Sequence, residues 1–265
     1  MYDYHNHSNF SDDGNVPMEE MVQAAYEKGL DEIAITDHYD PNYPDPAFPF
    51  ALDFENYHKT LEKTKAQFQG KIKVIKGIEI GIQHGDTLTL CSQAATDYPY
   101  DFIIGSFHCA QGCELYGNGY FAERSVEDAY VIFYEYMHHC LKNYHHYDVL
   151  GHFNIIDRYT TRIPDGKQYM DVVEDILKLI IDQGKGLEIN TSSFRYGMNH
   201  RTTPTLEMLQ LYKDLGGEII TTGSDAHQPI HIMEKLDYAQ SMIKSVGLNY
   251  VTTFEQRQPK FHKLY

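Results

Sequence analysis

Basic residues are scarce in this chain of 265 residues: Lys and Arg total 22 against 38 Asp and Glu, for a formal net charge of −16. No stretch concentrates Lys or Arg as a surface built to hold a nucleic-acid backbone does. A long nucleic acid is therefore not the expected partner, and an anionic substrate must be drawn in by something other than side-chain charge. Bound cations would serve, because a metal ion is often the largest local charge in a site. Cysteine is sparse as well. Cys91, Cys109, Cys113 and Cys140 form no Cys-x-x-Cys pair and keep no even spacing, which points to reduced thiols in a cytosolic protein. No apolar run reaches the roughly 18 residues that a membrane-spanning helix needs, and the polar start with His5 and His7 is unlike a cleavable signal. A cytoplasmic location and no membrane partner are expected. Low-complexity linkers and internal repeats are also lacking, so residues 1–265 read as one domain, and single α/β barrels commonly reach this length.

What the chain does have is alternation. Hydrophobic residues make up 42%, enough for one sizeable core. Short apolar, β-branched runs predict strands at residues 2–5, 32–36, 72–78, 102–105, 149–150, 186–190 and 218–222. Between them lie periodic stretches over 18–28, 54–68, 126–142, 170–183 and 206–215. Leu177, Ile180 and Ile181 keep the i, i+3, i+4 spacing of a buried helix face. Gly29, Gly184 and Gly216 fall where helices should stop. Strand-helix repetition of this kind predicts a parallel sheet with right-handed crossovers. Seven such units suggest a relative of the (β/α)8 barrel with one unit missing; a doubly wound open sheet is the alternative. Two segments break the repeat: Tyr39 to Phe50, rich in Pro and Tyr, is expected as an ordered loop over the site, and Gln111 to Tyr120, rich in Gly, as another.

The chemistry sits where the strands end. His5 and His7 end the first, Asp37 and His38 the second, Glu79 the third, His108 the fourth, His152 the fifth and Asn190 the sixth, while Asp225-Ala226-His227 follows the seventh. In an α/β barrel those ends converge on one face, where active sites are built. A single His at a strand end is more often a satisfied polar residue than a ligand. Glu79, between Ile78 and Ile80, could be a solvent-facing residue, but parallel strands are covered on both sides, so a carboxylate there needs a partner. Metal ligands at six of seven strand ends on one rim are not a coincidence of separate structural histidines. His138-His139 and His145-His146 recur at a seven-residue step but fall in or just after a helix, and read as surface or packing residues.

The segments His5 to Gly14, Thr36-Asp37-His38, Gly77-Ile78-Glu79, Gly105-Ser106-Phe107-His108, Gly151-His152 and Gly223-Ser224-Asp225-Ala226-His227 resemble those of the polymerase-and-histidinol-phosphatase (PHP) superfamily, in the family's order and over nearly the whole chain. The resemblance implies a distorted (β/α)7 barrel and a site for three divalent metal ions. It would place His5, His7, Glu79 and Asp225 on the first ion; Glu79 (bridging), His108 and His152 on the second; and Asp12, His38 and His227 on the third. Some relatives have His where this chain has Asp12, and the adjacent Asp13 is the alternative ligand there. Ligands that are all N and O donors fit Zn, Mn, Fe or Co. Three divalent ions, less three carboxylates and one hydroxide, leave about +2, which suits a phosphate monoester dianion.

The expected reaction is hydrolysis of a phosphate monoester by a metal-bridging hydroxide, since coordination lowers the pKa of water from 15.7 to about 7. Asp225 or His227 is placed to pass a proton to the leaving alkoxide. Arg158 and Arg195, after the fifth and sixth strands, are candidate phosphate clamps, because the guanidinium fork suits two phosphate oxygens at once; a surface salt bridge is the bland alternative for each. The segments Gly151 to Arg158, Asn190 to Tyr196 and Pro204 to His227 are most similar to those of histidinol-phosphatases within the superfamily. They imply L-histidinol phosphate as substrate, and Glu114, Tyr116 and Asp157 are candidates to meet its ammonium and imidazole. Competing readings are a PHP-type nucleotide phosphatase or nuclease, an amidohydrolase barrel, which also begins with His-x-His, and a non-catalytic PHP binding domain.

Overall fold

The computed structural model describes residues 1–117, 119–198 and 201–265. In chain order its elements are β1 (Tyr2–Asp3), α1 (Met18–Glu27), β2 (Glu32–Ile35), β3 (His38–Tyr39), α2 (Phe54–Gln67), β4 (Lys73–Gly81), α3 (Thr87–Thr96), β5 (Phe102–Ser106), β6 (Cys109–Ala110) and β7 (Cys113–Glu114). They continue with α4 (Val126–Leu141), β8 (Val149–Leu150), α5 (Met170–Asp182), β9 (Gly186–Asn190), α6 (Leu206–Asp214), β10 (Ile220–Gly223), α7 (Leu236–Ser245), β11 (Tyr250–Glu255) and β12 (Gln258–Lys263). Helix starts are chemically marked. Asp53, Ser125 and Thr205 each accept a hydrogen bond from a backbone N–H in the first turn of the following helix, a cap worth about 1 kcal/mol. Gly29, Gly184 and Gly216 all have positive φ, as the helix stops require.

The α5 helix buries Val173, Ile176, Leu177 and Ile180; of the predicted face Leu177 and Ile180 are buried, while Ile181 is half-buried at its edge. Leu177→Ala should cost about 2–5 kcal/mol, read as a drop in the denaturant midpoint. The strands run parallel in the order β1-β2-β4-β5-β8-β9-β10, with β3 paired beside β4. The first and last of these meet through Tyr4 N–H donating to the Thr222 carbonyl at 2.9 Å and Thr222 Oγ1 to the Tyr2 carbonyl at 2.8 Å. The sheet therefore curls into a nearly closed (β/α)7 barrel, and the open doubly wound alternative falls away.

Two ends of this barrel differ in chemistry. Tyr4, Ala34, Ile75, Phe102, Ile104 and Val149 fill its interior together with Phe254, which enters from β11. The turn after β11 is pinned there: Gln256 N–H donates to Asp101 Oδ1 at 3.1 Å and Arg257 Nε to Asp148 Oδ2 at 2.5 Å. Asp101 and Asp148 lie just before β5 and β8, so this hairpin plugs the N-terminal end of the strands with apolar packing. The C-terminal ends are left for polar residues. The plugging hairpin, α3 and α7 are additions that the strand-helix pattern did not predict. Among the described residues no helix is long and apolar enough to cross a membrane.

Candidate metal centre and cavity

Glu79 is the hub of the polar end. It sits on β4, fully buried, because both faces of a central parallel strand are covered. Its Oε1 accepts from Ser106 Oγ at 2.6 Å and lies 2.9 Å from His152 Nε2 and 3.4 Å from His108 Nε2. Its Oε2 lies 3.0 Å from His38 Nδ1, 3.2 Å from His5 Nε2 and 3.5 Å from His7 Nε2. Asp225, at the end of β10, brings Oδ1 to 3.3 Å from His7 Nε2 and 3.7 Å from His5 Nε2. His152 and Asp225 both have positive φ, 25° and 54°. Strained backbone of this kind is held only where the surroundings dictate it, commonly at functional sites.

The expected ligand residues thus converge, with one exception. His38 Nε2 and His227 Nε2 face Asp13 Oδ2, at 3.8 and 3.2 Å. Asp12 instead turns outward and accepts the Phe50 backbone N–H at 2.5 Å. Asp12 and Asp13 lie in the turn closed by Gly14 N–H donating to the Ser11 carbonyl at 2.9 Å, and that turn sends the two side chains different ways, so only one reaches the histidines. Of the two neighbouring carboxylates, Asp13 is the one that faces the histidines.

The buried lone pairs fit cations. His5 Nε2, His7 Nε2, His38 Nδ1, His227 Nε2 and Glu79 Oε2 are all buried without a hydrogen-bond partner, although each lies close to another of the group. Buried polar atoms are rarely left so. The groups His5-His7-Asp225, His5-Glu79-His152, His38-Glu79-His108 and His7-His38-His227 each bring ligand atoms within 4.8 Å of one another. Outer partners aim the rings. Asp40 Oδ1 lies 2.6 Å from His108 Nδ1, and His227 Nδ1 donates to the Asp225 carbonyl at 3.2 Å. Ser11 Oγ donates to Asp37 Oδ1 at 2.8 Å, which leaves His7 Nδ1, 3.1 Å away, to donate to Ser11 and turn a bare Nε2 inward.

Charge in the metal-free site is shared among these groups. Burial opposes ionisation of Glu79, but His5, His38 and His108 outweigh it and hold its pKa well below the usual range. Asp225 is likewise lowered despite its burial, chiefly by His5 and His7. Burial also works against His38, but Glu79 and Asp13 outweigh it and raise its pKa to about 9. His7 goes the other way, to about 3, through burial and the neighbouring His227 and His38.

Beside this cluster opens a cavity of about 480 Å³, lined by Asp13, His38, His108, His152, Asp225 and His227 on its floor. Tyr43, Phe48 and Phe50 from the 39–50 loop, and Glu114 and Tyr116 from the second loop, form part of its wall. Both loops therefore lie where expected. Arg158 also lines it: its guanidinium lies 4.1 Å over the Tyr196 ring, donates to Ser192 Oγ at 2.8 Å and sits 3.6 Å from Asp225 Oδ2, with Nε unpartnered. A second groove, about 550 Å³, lies along α6 and α7 and contains none of these histidines.

Two other candidates are engaged elsewhere in this structure. Arg195 is not in the cavity wall; it donates to Glu234 Oε2 at 2.9 Å and to the Ser224 and Asp225 carbonyls at 2.7 and 2.8 Å. Its fork is occupied in bracing the turn that carries Asp225. Asp157 is buried, and Tyr130, Asn154 and Arg201 occupy its oxygens. Two residues were missed, Asp40 and Glu188. Glu188 lies between Leu187 and Ile189 on a covered strand, the same signal that singled out Glu79.

A family pattern described as PHP domain matches residues 3–192. The chain is 30% identical over 266 residues to a probable histidinol-phosphatase of Clostridium acetobutylicum, covering 98% of this chain and 99% of that one. It is also 30% identical over 259 residues to a histidinol-phosphatase of Lactococcus lactis, covering 95% and 93%. A crystal structure of histidinol phosphate phosphatase from Lactococcus lactis, in complex with zinc, L-histidinol and phosphate, superposes with a TM-score of 0.89 at 27% identity, covering 98% of each chain.

Proposed function

This chain belongs to the PHP domain family, and on that premise we propose that it is a histidinol-phosphatase, hydrolysing L-histidinol phosphate to L-histidinol and phosphate. The observation that carries this reading is the cluster of buried imidazole and carboxylate ligand atoms without hydrogen-bond partners on the floor of a cavity that Arg158 enters from the side. Relatives over the full length bear that activity in their names. Residues 1–265 work as a single domain in this account, and the four free cysteines suit a cytoplasmic setting.

His5, His7, Asp13, His38, Glu79, His108, His152, Asp225 and His227 would hold three divalent ions, with Zn, Mn, Fe and Co all compatible with N and O donors. When bound, such ions would supply Lewis acidity toward phosphoryl oxygens and acidify water from a pKa of 15.7 to about 7. The chain's own residues do the rest. Glu79, shared between histidines on both sides, fixes the spacing of the groups. Arg158, unpartnered at Nε, takes phosphate oxygens and aligns phosphorus over the floor. Asp225, kept ionised by His5 and His7, accepts at Oδ2 the proton of the attacking water, and Arg195 holds its backbone in place. His227 remains the candidate for passing a proton to the leaving alkoxide. Glu114 Oε and the Tyr116 ring offer an anionic and an aromatic surface to the ammonium and imidazole.

Arg158→Ala should raise KM for the phosphate ester about 10–100-fold, the loss of a charge-assisted pair worth roughly 1.5–3 kcal/mol. The inhibition constant of inorganic phosphate should rise in parallel; an unchanged phosphate constant would remove Arg158 from the clamp. Asp13→Ala should cost bound metal and activity, whereas Asp12→Ala should keep the metal and change only KM, through the loop at Phe50. Metal content of the two variants decides between them. Because His38 of the metal-free protein holds a proton up to about pH 9, metal uptake must displace it. Affinity should therefore climb from pH 7 to 9 with measurable proton release, and a flat profile would contradict the assignment. The substrate reading is tested by comparing kcat/KM for L-histidinol phosphate and a 5′-mononucleotide; a preference for the nucleotide would overturn it.

A further inference from the structure

Glu188 lies on β9 with no exposure to solvent, and its oxygens are committed to two different strand ends. Oε1 lies 2.7 Å from His5 Nδ1. Oε2 accepts the backbone N–H of His152 at 2.9 Å and Nδ2 of Asn190 at 3.1 Å. Room for this carboxylate has been cleared by glycine. A Cβ on Gly223 would stand 2.2 Å from Glu188 Oε1 and 2.5 Å from His5 Cβ. No solvent reaches the carboxylate, so it does not serve as a surface ion pair.

An ionised carboxylate offers only acceptors. His5 Nδ1 must therefore carry a ring hydrogen toward Glu188, and in the neutral imidazole that ligates a cation Nε2 is the atom left to do so. That Nε2 is the atom 3.2 Å from Glu79 Oε2 and 3.7 Å from Asp225 Oδ1, buried without a hydrogen-bond partner. At the same time Glu188 holds the His152 backbone in its φ of 25°, which directs that ring to within 2.9 Å of Glu79 Oε1. His5, Glu79 and His152 form one candidate ligand group.

The geometry points to Glu188 as a positioning residue that yokes His5 and His152 and so determines how tightly the ions flanking Glu79 are held. The inference rests on the metal-dependent reading above. Replacing the carboxylate by an isosteric amide removes one acceptor and adds a donor. The amide then either faces His5 Nδ1 with N–H, forcing the hydrogen onto Nε2 and blocking ligation, or faces the His152 N–H donor to donor.

Glu188→Gln should fold, with a metal-free melting temperature lowered by the one donor it leaves unpaired. It should bind less metal per chain, with affinity for the weakened ion lower by about 10–100-fold, the usual effect of an outer partner. The metal-induced rise in melting temperature should shrink accordingly, kcat should fall with KM little changed, and excess zinc should restore part of kcat. Metal content and affinity equal to the wild type would overturn the inference. If the metal-free melting temperature collapses, the wild-type protein loaded with cadmium-113 gives the answer. Cadmium coupling to His5 Nε2, with Nδ1 protonated, is expected; coupling to Nδ1 would overturn it. A wild-type protein that takes up no metal at all would instead bring down the underlying metal-dependent reading, which these measurements report separately.

Discussion

Glu79→Gln should release bound metal and lower kcat/KM by at least about 10³-fold, beyond the roughly 10–100-fold loss typical of an outer partner. The reason is its place in the centre of the site: His5, His7, His38, His108 and His152 all lie within 3.5 Å of one of its two oxygens. A neutral amide keeps the shape but removes the negative charge that His5, His38 and His108 share. In the metal-free protein the same substitution leaves buried imidazolium charge without its counter-charge, a change of about 3–5 kcal/mol in stability by analogy with breaking a buried pair. The measurement is metal content and melting temperature of the stripped and loaded variant beside its turnover. Full metal content with turnover within tenfold of the wild type would show that Glu79 is only a packing residue.

Asp225→Asn should reduce turnover by about 10²–10⁴-fold, the range for loss of a positioned proton-transfer group. Its two oxygens face different partners: Oδ1 looks toward His5 and His7, while Oδ2 lies 3.6 Å from Arg158. The amide can keep one of these contacts but cannot accept a proton near neutral pH. Its backbone, braced by Arg195, should stay in place, so the loss belongs to kcat more than to KM. Arg195→Ala releases that brace and should lower kcat in the same direction by less. Near-normal turnover of Asp225→Asn with full metal content would remove Asp225 from the chemistry.

Much of this was legible in the sequence, for a physical reason. Ligands at strand ends are spaced by whole strand-helix units, so His5, His38, Glu79, His108, His152 and Asp225 could be placed on one rim once the strands were recognised. The barrel's closure was legible in the same way, from the count of parallel units. Side-chain direction within a loop was not. Asp12 and Asp13 carry the same chemistry one position apart, and only the turn after Ser11 decides which one faces His227. The directions of Arg195 and Asp157 were not legible either: both follow a strand into the rim, but one turns back to carbonyls and the other into the core. Glu188 was legible and overlooked, since a carboxylate between two apolar residues of a covered strand needs a buried partner. The hairpin carrying Phe254 gives no local sign that it will cross beneath the barrel, because its contacts are with residues far away in sequence.

The most direct test is phosphate release from L-histidinol phosphate by metal-stripped protein reloaded stepwise with zinc or manganese, with metal content measured on the same samples. Stripped protein should be inactive, and activity should return with bound metal. Full activity without metal, or none with the site fully loaded, would contradict the account.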